Sequence, residues 1–390
     1  MLLSNRTCEL PYIPDKVFPP INGWSTHKLL AVVGGVSTAL TLAISLVNIY
    51  RHLANYSDST EQRHIVRILL TPFVFGLFNA IALCFYETAE YLEPVAGLYE
   101  VFAVVAIFLL FLAYIVPDPS GYETGFGMLE RRSVVRQHKK HEQGSLQWFH
   151  VIWVLVFQIL PLHLVSAIAG WILKATTCPA DLTRRYAGIA IQAVQSVSTI
   201  TALLAIVCFY RRLQAPLKQR SSLSKFATFK IIISIALTQG PVFAGLNQGG
   251  VLKSTEYISF GDWAIGVPAP CICCEMLVFS ILFSWPFSAS EYSLRDLEAE
   301  KVDRRPLARL SFWFALLDAV NISDVIRGAF LHSRIVKIIR RKVASGKALD
   351  TDGLPGLKKA SSLTTSDSVR GSASVDVQRT IVDLRKIDAS

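Results

Sequence analysis

Glu275 sits near the middle of Trp263 to Phe287, a 25-residue stretch in which no other side chain is ionised. A run of that length crosses the ~30 Å hydrocarbon core of a bilayer as a helix. A carboxylate at that depth costs ~2.5 kcal/mol or more, so it turns inward toward a partner or a wet cavity. The chemistry open to it is contact with a passing polar or cationic group, or a structural hydrogen bond to a neighbouring helix.

Other polar side chains recur at comparable depth. At ~1.5 Å per residue, Glu100 lies roughly 9 Å and Glu275 roughly 17 Å below one face. From the opposite face Lys230 is roughly 6 Å deep and Gln239 roughly 20 Å. Gln158 and His163 in a fourth apolar run, with Gln192 and Gln195 in a fifth, fall in or near the same layer. Lys230 has two fates, snorkelling to the nearer interface or reaching Glu275. Pro161, Pro241, Pro268 and Pro270 free backbone carbonyls close to this layer, which membranes tolerate only where protein or a cavity satisfies them. These residues read together as a polar groove and as candidates for a substrate path. Glu87, Glu90 and Glu93, outside that layer, read as a solvated acidic rim.

The elements that must position them are apolar runs of spanning length: about 29–50, 68–86, 94–116, 149–173, 186–210, 226–246 and 263–287. The predicted fold class is therefore all-α, a polytopic membrane protein with seven transmembrane helices. Composition agrees, at 52% hydrophobic and 17% charged residues with mean hydropathy +0.42. The net charge of +10 does not point to nucleic acid, because the basic residues fall in the loops and the tail. Of the Lys and Arg outside the runs, 31 fall on one side and 7 on the other, and within the short loops alone 13 against 4. The positive-inside rule then places the N-terminus outside or in the lumen and the C-terminus in the cytosol. No positive-then-apolar leader opens the chain, and no internal repeat suggests a duplicated carrier.

With that topology Asn5, in Asn5-Arg6-Thr7, is the one sequon facing the glycosylating compartment; Asn55 and Asn321 face the cytosol. Cys8 and Cys178 both fall on the oxidising side, where a disulfide between them could persist. Cys271, Cys273 and Cys274 lack metal-site spacing and read as packing residues. No cofactor and no metal is expected.

The chain divides into an external segment 1–28, a seven-helix domain 29–287, a cytoplasmic helical segment 288–344 and a tail 345–390 whose polar composition predicts disorder. Within the helical segment Arg327, Arg334, Lys337 and Arg341 share one helical face opposite Val325, Ile326, Ala329, Phe330, Val336 and Ile339. That pattern suits a helix in the headgroup plane facing anionic lipid, or one packed on the ends of the spans.

Several ordered stretches carry a family resemblance. They are His52-Leu53, Asn55-Tyr56 and Gln62 to Leu69 before and into the second run, Tyr99-Glu100 in the third, and Ser196-Val197-Ser198 with Phe209-Tyr210 in the fifth. Lys225-Phe226, Phe229-Lys230 and Gln239 follow, then Cys274-Glu275-Met276, Glu291-Tyr292, and Leu317-Asp318-Ala319 with Asn321 and Asp324. In these the chain resembles the organic solute transporter alpha-subunit family of fungi, plants and animals, with the last stretch closest to fungal members. The resemblance implies a seven-span protein that moves amphipathic organic solutes such as sterol-derived anions, at the plasma membrane or an endomembrane such as the vacuole or endosome. It implies membrane lipids as surroundings, and either a homo-oligomer or a small single-span partner subunit. The chain departs from animal members in holding no cysteine between Gly121 and Gln147.

Two other function classes compete. Seven spans with an external N-terminus is also the receptor plan, or that of a signalling scaffold without transport. However, Val116-Pro117-Asp118 and Trp285-Pro286 stand where receptors carry an acidic-Arg-aromatic triplet and an Asn-Pro-x-x-Tyr. An enzyme is not expected, since the runs hold no paired acids and no Ser/His constellation.

Overall fold

The computed structural model describes residues 23–116, 145–178, 181–218, 221–248, 255, 257–259, 261–292, 312–326 and 328. Asn5, Cys8, Arg327, Arg334, Lys337, Arg341 and the tail 345–390 lie outside the described residues, so the expectations placed on them stay expectations.

Among the described residues the architecture is helical throughout. The helices are α1 (Thr26–Ala54), α2 (Ser59–Cys84), α3 (Tyr86–Ile115), α4 (Ser145–Phe157), α5 (Ile159–Thr176), α6 (Leu182–Arg212), the short α7 (Gln214–Lys218), α8 (Ser222–Gln248), α9 (Pro268–Phe283) and α10 (Phe312–Val320). A π-helical turn, Asp262–Gly266, precedes α9. Among the described residues six helical stretches are long and apolar enough to cross a membrane: Thr26–Ala54, Ser59–Cys84, Tyr86–Ile115, Trp148–Thr176, Leu182–Arg212 and Asp262–Phe283. The further predicted span coincides with α8, a 27-residue helix with Lys225 and Lys230 in its first turns. The described residues are thus those of an all-helical membrane protein.

Side-chain chemistry explains the ends of these helices. The Ser25 hydroxyl accepts from the Lys28 amide at the start of α1, and the Asp58 carboxylate accepts from the Thr60 and Glu61 amides at the start of α2. Each satisfies a first-turn donor that would otherwise be orphaned. Between Val101 and Leu112, α3 is apolar on every side and buried on nearly every side. A helix of that pattern belongs in the middle of a bundle, and α3 packs against α2, α4, α5, α6, α7 and α8. Phe108 is its densest contact, meeting Trp153, Phe157 and Phe209 edge-on. Beside α3, α2 carries α1, α9 and α10.

Proline placement departs from the sequence reading. Pro94, expected to open the third span, lies two turns inside α3. Its ring removes the hydrogen bond to the Glu90 carbonyl. That carbonyl accepts instead from Lys174 Nζ, and the neighbouring Tyr91 carbonyl accepts from Trp171 Nε1 at 3.1 Å. Arg184 completes the group by pairing with the Glu90 carboxylate. Glu90 is therefore part of an inter-helix contact and not of a solvated rim, a pairing invisible from loop composition because its partners lie about 90 residues downstream.

Pro268 and Pro270 are accommodated by the π turn, where the Val267 amide reaches back to the Asp262 carbonyl at 2.7 Å. The Asp262 carboxylate accepts from Ser259 and from Tyr86 Oη, the latter at 2.9 Å. Gly266 packs so tightly here that an added Cβ would collide with Tyr86 Oη. Gly266→Ala should accordingly cost about 1–3 kcal/mol by overpacking, whereas Gly35→Ala, into open space, should not lower the unfolding temperature. Equal thermal stability of the two detergent-purified variants would show that Tyr86 moves aside freely.

Candidate functional site

The predicted polar layer resolves into separate contacts. Gln239 on α8 donates through Nε2 to Glu275 Oε1 on α9 at 3.2 Å, and both side chains are half-buried. Glu100 on α3 is half-buried, its Oε1 shielded from solvent and without a hydrogen-bond partner among the described residues; Gln239 Oε1 is in the same state. These are polar atoms shielded from solvent with hydrogen-bonding capacity to spare, a costly arrangement where no partner satisfies them.

The remaining candidates do not converge on that pair. His163 is buried, with Nδ1 3.1 Å from the Ile159 carbonyl and Nε2 3.3 Å from Thr199 Oγ1, so it joins α5 to α6. Gln158 occupies the break between α4 and α5 and is half-buried, Gln195 is half-buried on α6, and Gln192 is exposed. Lys230 is exposed on α8 and forms no ion pair with Glu275. Of the three cysteines read as packing residues, only Cys273 is buried; Cys271 and Cys274 are exposed, and all three are free thiols. Cys178 is disulfide-bonded.

The densest polar assembly stands elsewhere, at the end of the bundle where α1 meets α2. Arg67, with its side chain 4% exposed, donates to both Asp324 oxygens at 2.8 and 2.9 Å, to the Asn321 carbonyl at 2.6 Å and to the Ala319 carbonyl at 3.0 Å. Burial alone would raise the Asp324 carboxyl, but the Arg67 hydrogen bonds and the charges of Arg67, His64 and Arg63 overcome it and hold the group below the usual carboxylate range. Tyr56 donates to Asp318 at 2.8 Å; burial first and this bond second push its phenol well up.

Gln62 spans the α1–α2 turn, accepting from the Ser57 and Asp58 amides and donating to the His52 and Asn55 carbonyls. Tyr99 donates to the Arg67 carbonyl at 2.9 Å. Lys225, counted from sequence as a loop charge, is 1% exposed and bonds Tyr114 at 2.8 Å and Glu291 at 3.1 Å. Tyr292 donates to Glu61 at 3.0 Å, its phenol raised by burial above all and by the surrounding Tyr114, Glu61 and Glu291.

The residues that carried the family resemblance in the first loop, around Lys225, at Glu291-Tyr292 and from Asp318 to Asp324 are thus one connected network. Their spacing in the sequence assigns them no common site. The available signal was their polarity inside or beside apolar runs, the same argument that selected Glu275. Beside the network, Asn48, Arg51, Asn55, Ser284, Phe287, Ser288, Ala289 and Ser290 line a cavity of about 200 Å³. Among the described residues no cluster of three or more potential metal ligands occurs.

A family profile described as organic solute transporter Ostalpha matches residues 30–292. Curated relatives include Protein LAZ1 homolog 1 of Arabidopsis thaliana, 22% identical over 66% of this chain and 57% of its own length. Protein LAZ1 of the same plant is 24% identical over 70% and 60%. Vacuole membrane protein hfl11 of Schizosaccharomyces pombe is 23% identical over 75% and 67%. The match therefore leaves a third or more of each relative uncovered. No solved structure matches.

Proposed function

Because the chain belongs to the organic solute transporter Ostalpha family, we propose that it translocates amphipathic organic solutes, sterol-derived anions or lipids, along a path through the bundle lined by Gln239, Glu275 and Glu100. The observation that carries this reading is the half-buried Gln239–Glu275 pair between α8 and α9, with the unpartnered Glu100 oxygen on α3. Amide and carboxylate oxygens at depth offer transient hydrogen bonds to hydroxyls of a sterol or fatty solute whose apolar body stays against the helices. In this proposal α8 is the seventh span, the N-terminus is external and the C-terminus cytosolic. The similarity to a vacuole membrane protein of Schizosaccharomyces pombe favours an endomembrane such as the vacuole. The test is uptake of a sulfated sterol, which does not cross lipid unaided, by liposomes containing the purified protein. Uptake no faster than in protein-free liposomes would leave the second reading.

That second reading, a membrane scaffold or receptor without transport, is favoured by the concentration of polar contacts around Arg67 and Lys225 at one end of the bundle, away from mid-membrane. A homo-oligomer or a small single-span partner fits either reading.

The proposed orientation has its own check. Asn5→Gln should abolish any glycosidase-sensitive mobility shift, and Asn55→Gln should not; a shift that survives the first change or depends on the second reverses every inside and outside assignment.

A further inference from the structure

α10 divides sharply by face. Ala315 and Ala319 are 0% and 3% exposed. On the same side Asp318 takes the Tyr56 hydroxyl, and Arg67 donates to the Ala319 carbonyl. On the other side Trp313, Phe314, Leu317 and Val320 are exposed at 70%, 59%, 71% and 69%, and Ile322 in the following turn at 51%. A contiguous aromatic and aliphatic patch of this kind marks an interaction surface.

Three observations select its occupant. First, the patch is continuous with the bundle's outer surface: Phe312 meets Tyr50 at 6.0 Å between ring centroids, and Tyr50 ends a row of exposed apolar residues on α1 that includes Val36, Leu40 and Val47. In a membrane protein that row is the surface that meets acyl chains. Second, the bonds to Arg67 and Tyr56 set the height of α10: Arg67 immediately precedes the point where the apolar run of α2 begins at Ile68, so the helix sits at the edge of the hydrocarbon. Third, the exposed set leads with Trp and Phe, and a Trp ring is most at home where hydrocarbon meets headgroups.

We propose that α10 lies in the bilayer interface with Trp313, Phe314, Leu317 and Val320 immersed among the upper acyl chains, an in-plane anchor clamped to the bundle by the Arg67–Asp324 pair. The partner is the lipid surface itself. This assignment does not depend on whether the bundle transports.

The test is depth-dependent quenching of Trp313 in nanodiscs. The full chain is reconstituted in lipids brominated near the headgroup end of the acyl chain, in lipids brominated near its terminal methyl, and in unbrominated lipids. The emission of Trp313 is the difference between wild type and Trp313→Phe. Most of that emission should be lost with the shallow bromines, less with the deep ones, and little to aqueous acrylamide. Quenching by acrylamide with indifference to bromine would place the face in water, and indifference to both would place it under protein, a second copy or the chain's own residues; either overturns the proposal. Leu317→Trp in the Trp313→Phe background moves the reporter one turn along the same face and must show the same order of quenching, which protects the test from a local effect of the first substitution.

Discussion

Arg67→Met should cost about 3–5 kcal/mol of stability, the usual penalty for breaking a buried ion pair by removing one partner. Detergent-solubilised protein should lose folded yield and melt at lower temperature. The guanidinium makes a two-oxygen contact with Asp324 and holds two further carbonyls, those of Ala319 and Asn321, so its loss releases α10 from α2 as well as stranding a carboxylate. Pairing predicts non-additivity: Arg67→Met with Asp324→Leu should be less harmful than the sum of the single changes, since the double variant leaves no uncompensated charge.

The sign of the pH dependence is also set. Asp324 is held below the ordinary Asp range. Its contribution is complete above the unfolded value of ~3.9 and is lost as pH falls through the lower folded value. Asp324→Asn should therefore flatten the acid limb of the thermal-stability profile. Strict additivity of the single variants, together with an unchanged acid limb, would reduce this cluster to incidental surface contacts.

The contrast between Arg67 and Glu275 shows what a linear chain reveals. Spans are local objects: 20 or so apolar residues fix a helix by length alone, and α1, α2, α5 and α6 overlap their predicted runs while extending beyond them into polar turns. Contacts are not local. Arg67 and Asp324 are separated by 257 positions, and nothing in either neighbourhood names the other.

Position along a helix is legible in the chain, but azimuth is not. Gln192 and Glu100 fall at similar positions along their runs, roughly 9 Å from the same face, yet one is exposed and the other half-buried with its Oε1 shielded from solvent. A hydropathy run that is apolar on all sides carries no moment to say which way its single polar residue turns. Lys225 shows the same limit from the other direction. Its place beside an apolar run reads as a loop charge, but the fold buries it between Tyr114 and Glu291.

Glu275→Gln should lower uptake by about tenfold or more, equivalent to ~1.4 kcal/mol on the transport barrier, while yield and melting temperature stay near wild type. The substituted amide keeps an oxygen to accept from Gln239 Nε2, so the α8–α9 contact survives and only the charge presented to a solute disappears. A structural role predicts the opposite pattern, since a change that weakened α8–α9 packing would lower yield and leave transport per folded molecule intact. Glu100→Gln separates the two roles more sharply. Its shielded Oε1 has no hydrogen-bond partner among the described residues, so removing the charge relieves a desolvation penalty and should hold or raise stability. If Glu100 lines the path, that more stable protein should nonetheless transport less. The measurement is sulfated-sterol uptake per mole of folded protein for Glu100→Gln, Glu275→Gln and Gln239→Leu. Wild-type uptake by well-folded forms of all three would remove the α3–α8–α9 region from the path and leave the bundle end around Arg67 as the functional part of the molecule.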